Sequence, residues 1–201
     1  MRVEVEQNTE EWLNQRIGLV TGSQQSKVMA NYGKAFGNPA HKYAVEKAVE
    51  RLTLVRQGSS FTNEYMERGT ELEPVAIELY EAETMYKVEP GGFFVKGTLG
   101  DSPDGIVGRG CVEVKVQVPH IHLDCIEKDR PTTGYKWQLV SHMYVGNREW
   151  CDFVSYCPEM PPNKRLWIKR IYPDEEMIDM FVKRNEEFEE LIQNKIEIIK
   201  R

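Results

Sequence analysis

Residues 100–118, GDSPDGIVGRGCVEVKVQV, constrain the fold more than any other stretch of the chain. Valines at 112, 114, 116 and 118 alternate with Glu113, Lys115 and Gln117. Successive side chains of a β-strand point to opposite faces, so the valines define one packed face and the three polar residues share the other. The residues upstream set the pairing. If Gly108-Arg109 forms a two-residue hairpin turn with glycine first, Val107 pairs with Gly110 and Asp104 falls opposite Glu113. The Cβ atoms of such a pair lie about 5 Å apart. A three-residue turn would shift this register by one, unless a bulge restored it.

Two carboxylates facing each other destabilise a sheet unless something compensates. A divalent cation does so, and Mg²⁺ takes one or two carboxylates while waters and substrate phosphates complete its shell. Lys115 would point at the same place, where a neutral amine can deprotonate an attacking water, or an ammonium can hold that water or stabilise charge on a phosphate. Taken alone, the same residues fit an amphipathic hairpin with an exposed Glu–Lys face. What separates the two readings is whether other residues converge on that face.

Elsewhere the pattern is mixed. Thr9 is placed to cap a short helix over 9–17, and Ser23 to cap a second. NYGKAFGNP at 31–39 reads as a glycine-punctuated loop. Val45, Ala48, Val49 and Leu52 form the stripe expected of a third helix. A longer helix over much of 63–86 would bury Leu72, Val75, Ala76 and Leu79, with Pro74 near its start or at a kink. Strands are predicted between 92 and 118, at 151–157 and at 165–172, with helices near 119–128 and 134–145. A final amphipathic helix would turn Phe181, Phe188, Ile192 and Ile199 to the core. This order predicts one α/β (α+β) domain over 1–201, a central mixed β-sheet flanked by helices.

Composition narrows the class. No apolar run approaches the roughly 20 residues that span a bilayer. The acidic MRVEVEQNTEEW start does not resemble a signal peptide, so a cytoplasmic location is expected. Cys111, Cys125, Cys151 and Cys157 form no CxxC pair, which disfavours zinc or iron–sulfur ligation. A net charge of −6 disfavours nucleic-acid binding through overall charge, but not through a local basic lining. Lys27, Lys34, Lys42, Lys47, Arg51 and Lys136 are scattered candidates for such a lining.

Pro103-Asp104, eight intervening residues and Glu113-Val114-Lys115 match the signature of the PD-(D/E)xK nuclease superfamily. More narrowly, the chain resembles the lambda exonuclease and YqaJ-type viral recombinase family between Trp12 and about Tyr144. The pieces, in order, are Glu11-Trp12 with Arg16, Thr21-Gly22-Ser23, Arg68-Gly69 with Glu73-Pro74, Ser102-Pro103-Asp104-Gly105, Glu113-Val114-Lys115, and Tyr135-Lys136-Trp137-Gln138.

The resemblance implies a restriction-endonuclease-like core and assigns roles. Asp104 and Glu113 would be the principal ligands of a two-metal Mg²⁺ site, in which Mn²⁺ can substitute. Lys115 would be the catalytic lysine, and Glu73 a helix-borne glutamate helping to organise the metals. Glu73 equally suits the first turn of a helix, where the dipole favours an acid. Gln138 would position substrate or water, or serve as a partly buried structural glutamine. Arg16 and Ser23 would bind a 5′-terminal phosphate, through a guanidinium fork and a capped helix end; a plain cap and a surface arginine are the alternative. Met66 stands where the family places an apolar wedge, or is a core methionine. The implied activity is 5′-to-3′ degradation of one strand of linear duplex DNA by a homotrimer. It would leave a 3′ single strand for an annealing protein in phage-type recombination. The rivals are a restriction-like endonuclease and a non-catalytic DNA-binding protein on the same fold.

Overall fold

The structure, a computed structural model, describes residues 1–58 and 64–201. In chain order its elements are β1 (Arg2–Val3), α1 (Glu10–Gln15), β2 (Val20–Thr21), α2 (Gln25–Met29), α3 (Asn38–Thr53) and α4 (Glu64–Thr84). Then come β3 (Glu89–Pro90), β4 (Phe93–Lys96), β5 (Leu99–Asp101), β6 (Gly105–Val107) and β7 (Gly110–Val116). The chain continues through α5 (Pro119–Lys128), α6 (Lys136–Gly146), β8 (Cys151–Tyr156), β9 (Leu166–Ile171) and α7 (Glu175–Ile199).

The strands form two mixed sheets, not the single central sheet expected. One has the order β1-β4-β5-β2, with β2 parallel to β5. The other has the order β3-β6-β7-β8-β9, with β7 parallel to β8. The strands overlooked in the sequence, β1, β2 and β3, are two residues long, too short for alternation to register.

The hairpin register is the expected one. Val107 pairs with Gly110 and Gly105 with Val112, which leaves Asp104 opposite Glu113. Gly108 adopts φ +53° while Arg109 does not adopt positive φ, the combination a II′ turn requires. Val112 and Val114 pack with Ala76, Tyr80, Val154 and Tyr156, so the valine face of β7 is covered by α4 and neighbouring strands.

Helix faces were read less well. Val45 and Leu52 are exposed, and α3 instead buries Ala40, Tyr43, Ala44, Lys47, Ala48 and Glu50. Its alanines admit close approach, and the Lys47–Glu50 ion pair, 2.5 Å, lets two charged residues occupy the packed face. On α4 the buried residues are Ala76 and Tyr80, while Val75 and Leu79 are exposed. Pro74 sits mid-helix, away from the start; residue 63, the expected start, lies outside the described residues. On α7, Phe181, Phe188 and Ile192 are buried, but Ile196 takes the place expected of Ile199. All four cysteines are free and buried. No helix among the described residues is long and apolar enough to cross a membrane.

Candidate active site

A cavity of about 750 Å³ opens between α4, β7 and the start of α6. Ser23, Met66, Glu73, Asp104, Lys115 and Gln138 all line it. Six residues spread over 116 positions of sequence thus meet at one cleft. Glu113 stands behind them, 1% exposed. Its Oε1 accepts hydrogen bonds from Lys115 Nζ and from Gln138 Nε2, the latter at 2.6 Å. Asp104 Oδ2 accepts the Val114 backbone N–H at 2.7 Å, tying the acid to the strand it faces.

The charges are strongly coupled. Burial and the nearby Glu113 carboxylate push Asp104 well above its ordinary pKa. Glu73 is raised by burial and again by Glu113. Burial would also raise Glu113, but Lys115 and His142 outweigh it and hold this acid at about 2. For Lys115, burial is outweighed by Glu113 and Asp104, so its pKa moves up. Between these acids the ammonium form is favoured.

Two residues in the site were not anticipated. His142 Nδ1 lies 2.6 Å from Asp101 Oδ2, and Nε2 lies 2.9 Å from Glu113 Oε2. Ionised carboxylates only accept hydrogen bonds, so an imidazole facing one on each side carries both protons. Burial would lower its pKa, but the two acids raise it well above the ordinary value. The contact to Glu113 is close but not linear, and Glu113 Oε2 has no well-aligned hydrogen bond. A signal for His142 was available: Gln138, Ser141 and His142 fall at i, i+3 and i+4 on α6. Asp101 gave none, being one acid on a three-residue strand.

Ser23 and Arg16 do not share one cavity. Ser23 lines the cleft of Asp104 and Lys115, whereas Arg16 lines a second cavity of about 680 Å³ with Lys27, Lys47 and Arg56. Met66 borders both. It is 54% exposed, which rules out a core role. The Arg16 guanidinium stacks 4.1 Å from the Trp12 ring, and burial lowers its pKa. Ser23 is not a helix cap: it lies within a 3-10 turn, Gly22–Gln24, ahead of the five-residue α2. The tight turn follows from the approach of Asp101 to Gly22, where an added Cβ would lie 1.9 Å from Oδ1. Arg51 is likewise removed from the candidate DNA lining, because it is committed to Glu189 and the Gly18 carbonyl.

The residues present suit a hard cation. Asp104 and Glu113, set across the hairpin by its register, with Glu73 in the same field, are the hard oxygen donors that Mg²⁺ takes. Among the described residues no three His, Cys, Asp or Glu side chains close into a ready-made cage.

A mixed α/β core with Asp, Glu and Lys converging on one cleft defines a nuclease-type site. The YqaJ-like viral recombinase domain model matches residues 11–149, and the chain belongs to that family. An alkaline exonuclease from Laribacter hongkongensis, LHK-Exo, is 32% identical, with 96% of this chain and 97% of that chain covered and a TM-score of 0.85. The same enzyme in complex with dAMP superposes at 0.86, with 33% identity and the same coverage. A phage-related exonuclease from Haemophilus somnus shares the fold at 16% identity and TM-score 0.73, over 90% of this chain and 95% of its own. A search of curated proteins gave no match.

Proposed function

We propose that this member of an alkaline exonuclease family is a Mg²⁺-dependent enzyme that degrades one strand of linear duplex DNA from its 5′ end. The observation that carries the reading is the register that sets Asp104 against Glu113, with Lys115 beside them at an open cleft. Asp104 and Glu113 would hold the cation, with Glu73 supporting, and Mn²⁺ would substitute. When bound, the cation would neutralise phosphate charge and lower the pKa of a water. Lys115, favoured in its ammonium form, stabilises the charge that develops on the phosphate oxygens. Gln138 orients Glu113, a positioning role that differs from direct contact with substrate.

Arg16 is offered as the grip on the 5′-terminal phosphate, with Lys27 and Arg56 adding charge and Ser23 contacting the strand on the cleft side. Met66, exposed at the border of both cavities, suits a wedge at the duplex end. The products would be a 3′ single strand and mononucleotides. The strand would pass to an annealing protein in phage-type recombination, and a homotrimer would encircle the duplex. The experiment compares linear duplexes with 5′-phosphate and 5′-hydroxyl ends. Arg16→Ala should reduce the preference for the phosphorylated end by about tenfold or more, the worth of a charge-assisted contact, while retaining residual cleavage. An unchanged preference would remove Arg16 from the phosphate site.

A further inference from the structure

His142, Asp101 and Glu113 are at most 2% exposed, and the imidazole bridges the two acids. Asp101 is itself braced: Oδ1 accepts the Ser141 hydroxyl at 2.8 Å and abuts Gly22, next to Ser23. Replacing a buried polar trio of this kind by apolar side chains of the same volume is often neutral or stabilising. Stability alone therefore gives no reason for the trio, whereas a carboxylate that must face a cation does. Glu113 Oε1 is held by Lys115 and Gln138, and the only side chain set against Oε2 among the described residues is His142.

We infer that His142 is a positioning residue for the cation site, fixing the orientation of the Glu113 carboxylate and braced by Asp101. It touches neither substrate nor cation. Asp101 also packs against Gly22 in the turn bearing Ser23, so that turn and Glu113 have one neighbour in common. The inference rests on the metal-dependent reading above.

Its test is Mn²⁺ binding to the intact protein without DNA, followed by electron paramagnetic resonance of the free ion. His142→Gln places an amide donor near the former Nε2, and His142→Asn places one near the former Nδ1. Loss of an outer-shell contact that orients a ligand typically costs about 10- to 100-fold in metal affinity. His142→Asn should show that loss and His142→Gln should recover most of it, although the two unfold at similar temperatures. Equal affinity in wild type and His142→Asn, or losses that track stability instead of donor position, would overturn the inference. Should both variants fail to fold, Asp101→Asn reads the same support: about tenfold weaker binding is expected, and wild-type affinity would overturn it. No Mn²⁺ uptake by the wild type would instead overturn the metal-dependent reading, and this inference with it.

Discussion

Asp104 sits in an environment poorly suited to its ionised form. Its folded pKa is raised, so its protonated form is preferred in the fold. The stability this contributes is present below the ordinary value of 3.8 and is lost as pH rises through the folded pKa. Glu113 has the opposite sign. Held at about 2, it contributes stability above its ordinary pKa that is lost as pH falls through 2. In EDTA, Asp104→Asn should therefore melt at least about 2 °C above wild type at pH 8, and the curves should converge towards pH 4. Asparagine keeps a carbonyl acceptor for the Val114 N–H, so the change isolates the charge. Saturating Mg²⁺ should reverse the order by stabilising only the wild type, by about 5–10 °C at a hundredfold excess over Kd. A variant no more stable than wild type at pH 8 without metal would mean that Asp104 is not under electrostatic stress. At this scale the sequence was a good guide to Asp104, Glu113 and Lys115, because strand alternation and hairpin register are short-range geometry. It could not reveal Asp101, whose partners lie 40 and 41 positions away.

Among the elements, the β6–β7 hairpin and α4 were legible for different reasons. The hairpin carried its turn chemistry in Gly108 and its faces in the valine alternation. For α4, Leu72, Val75, Ala76 and Leu79 made a plausible stripe, yet the packed face turned towards Tyr80, whose hydroxyl bonds Asp152 at 2.7 Å. A buried polar anchor of that kind does not show in hydrophobic periodicity. The Pro103 carbonyl is a further case: it accepts a hydrogen bond from Gln7 and closes on Gly91, where an added Cβ would sit 1.8 Å away. Gly91→Ala must displace the segment that delivers Asp104. It should cost about 1–3 kcal/mol, near the range of overpacking, and lower Tm by about 2–4 °C per kcal/mol. Activity should fall by more than that stability loss explains when assayed well below Tm. Full activity with wild-type Tm would show that the Pro103 segment is not tightly placed.

Across the whole molecule, a chain with net charge −6 gathers Arg16, Lys27 and Arg56 at one cavity beside the acidic cleft, with Lys47 paired to Glu50 in its wall. No basic block appears in the sequence, because these residues come from four separate segments brought together by folding. The juxtaposition of cationic cavity and carboxylate site is what a phosphodiester substrate with an anionic end requires. Metal-dependent cleavage from the 5′ end at this cleft is the proposed activity. The most direct measurement digests linear duplex DNA, labelled at the 5′ or the 3′ end, with wild type in Mg²⁺, wild type in EDTA, and Lys115→Ala in Mg²⁺. The account predicts early release of labelled mononucleotide from the 5′-labelled strand by wild type alone. EDTA should abolish it and Lys115→Ala should reduce it by about a hundredfold or more. Internal cuts, release first from the 3′ label, or full activity of Lys115→Ala would contradict it.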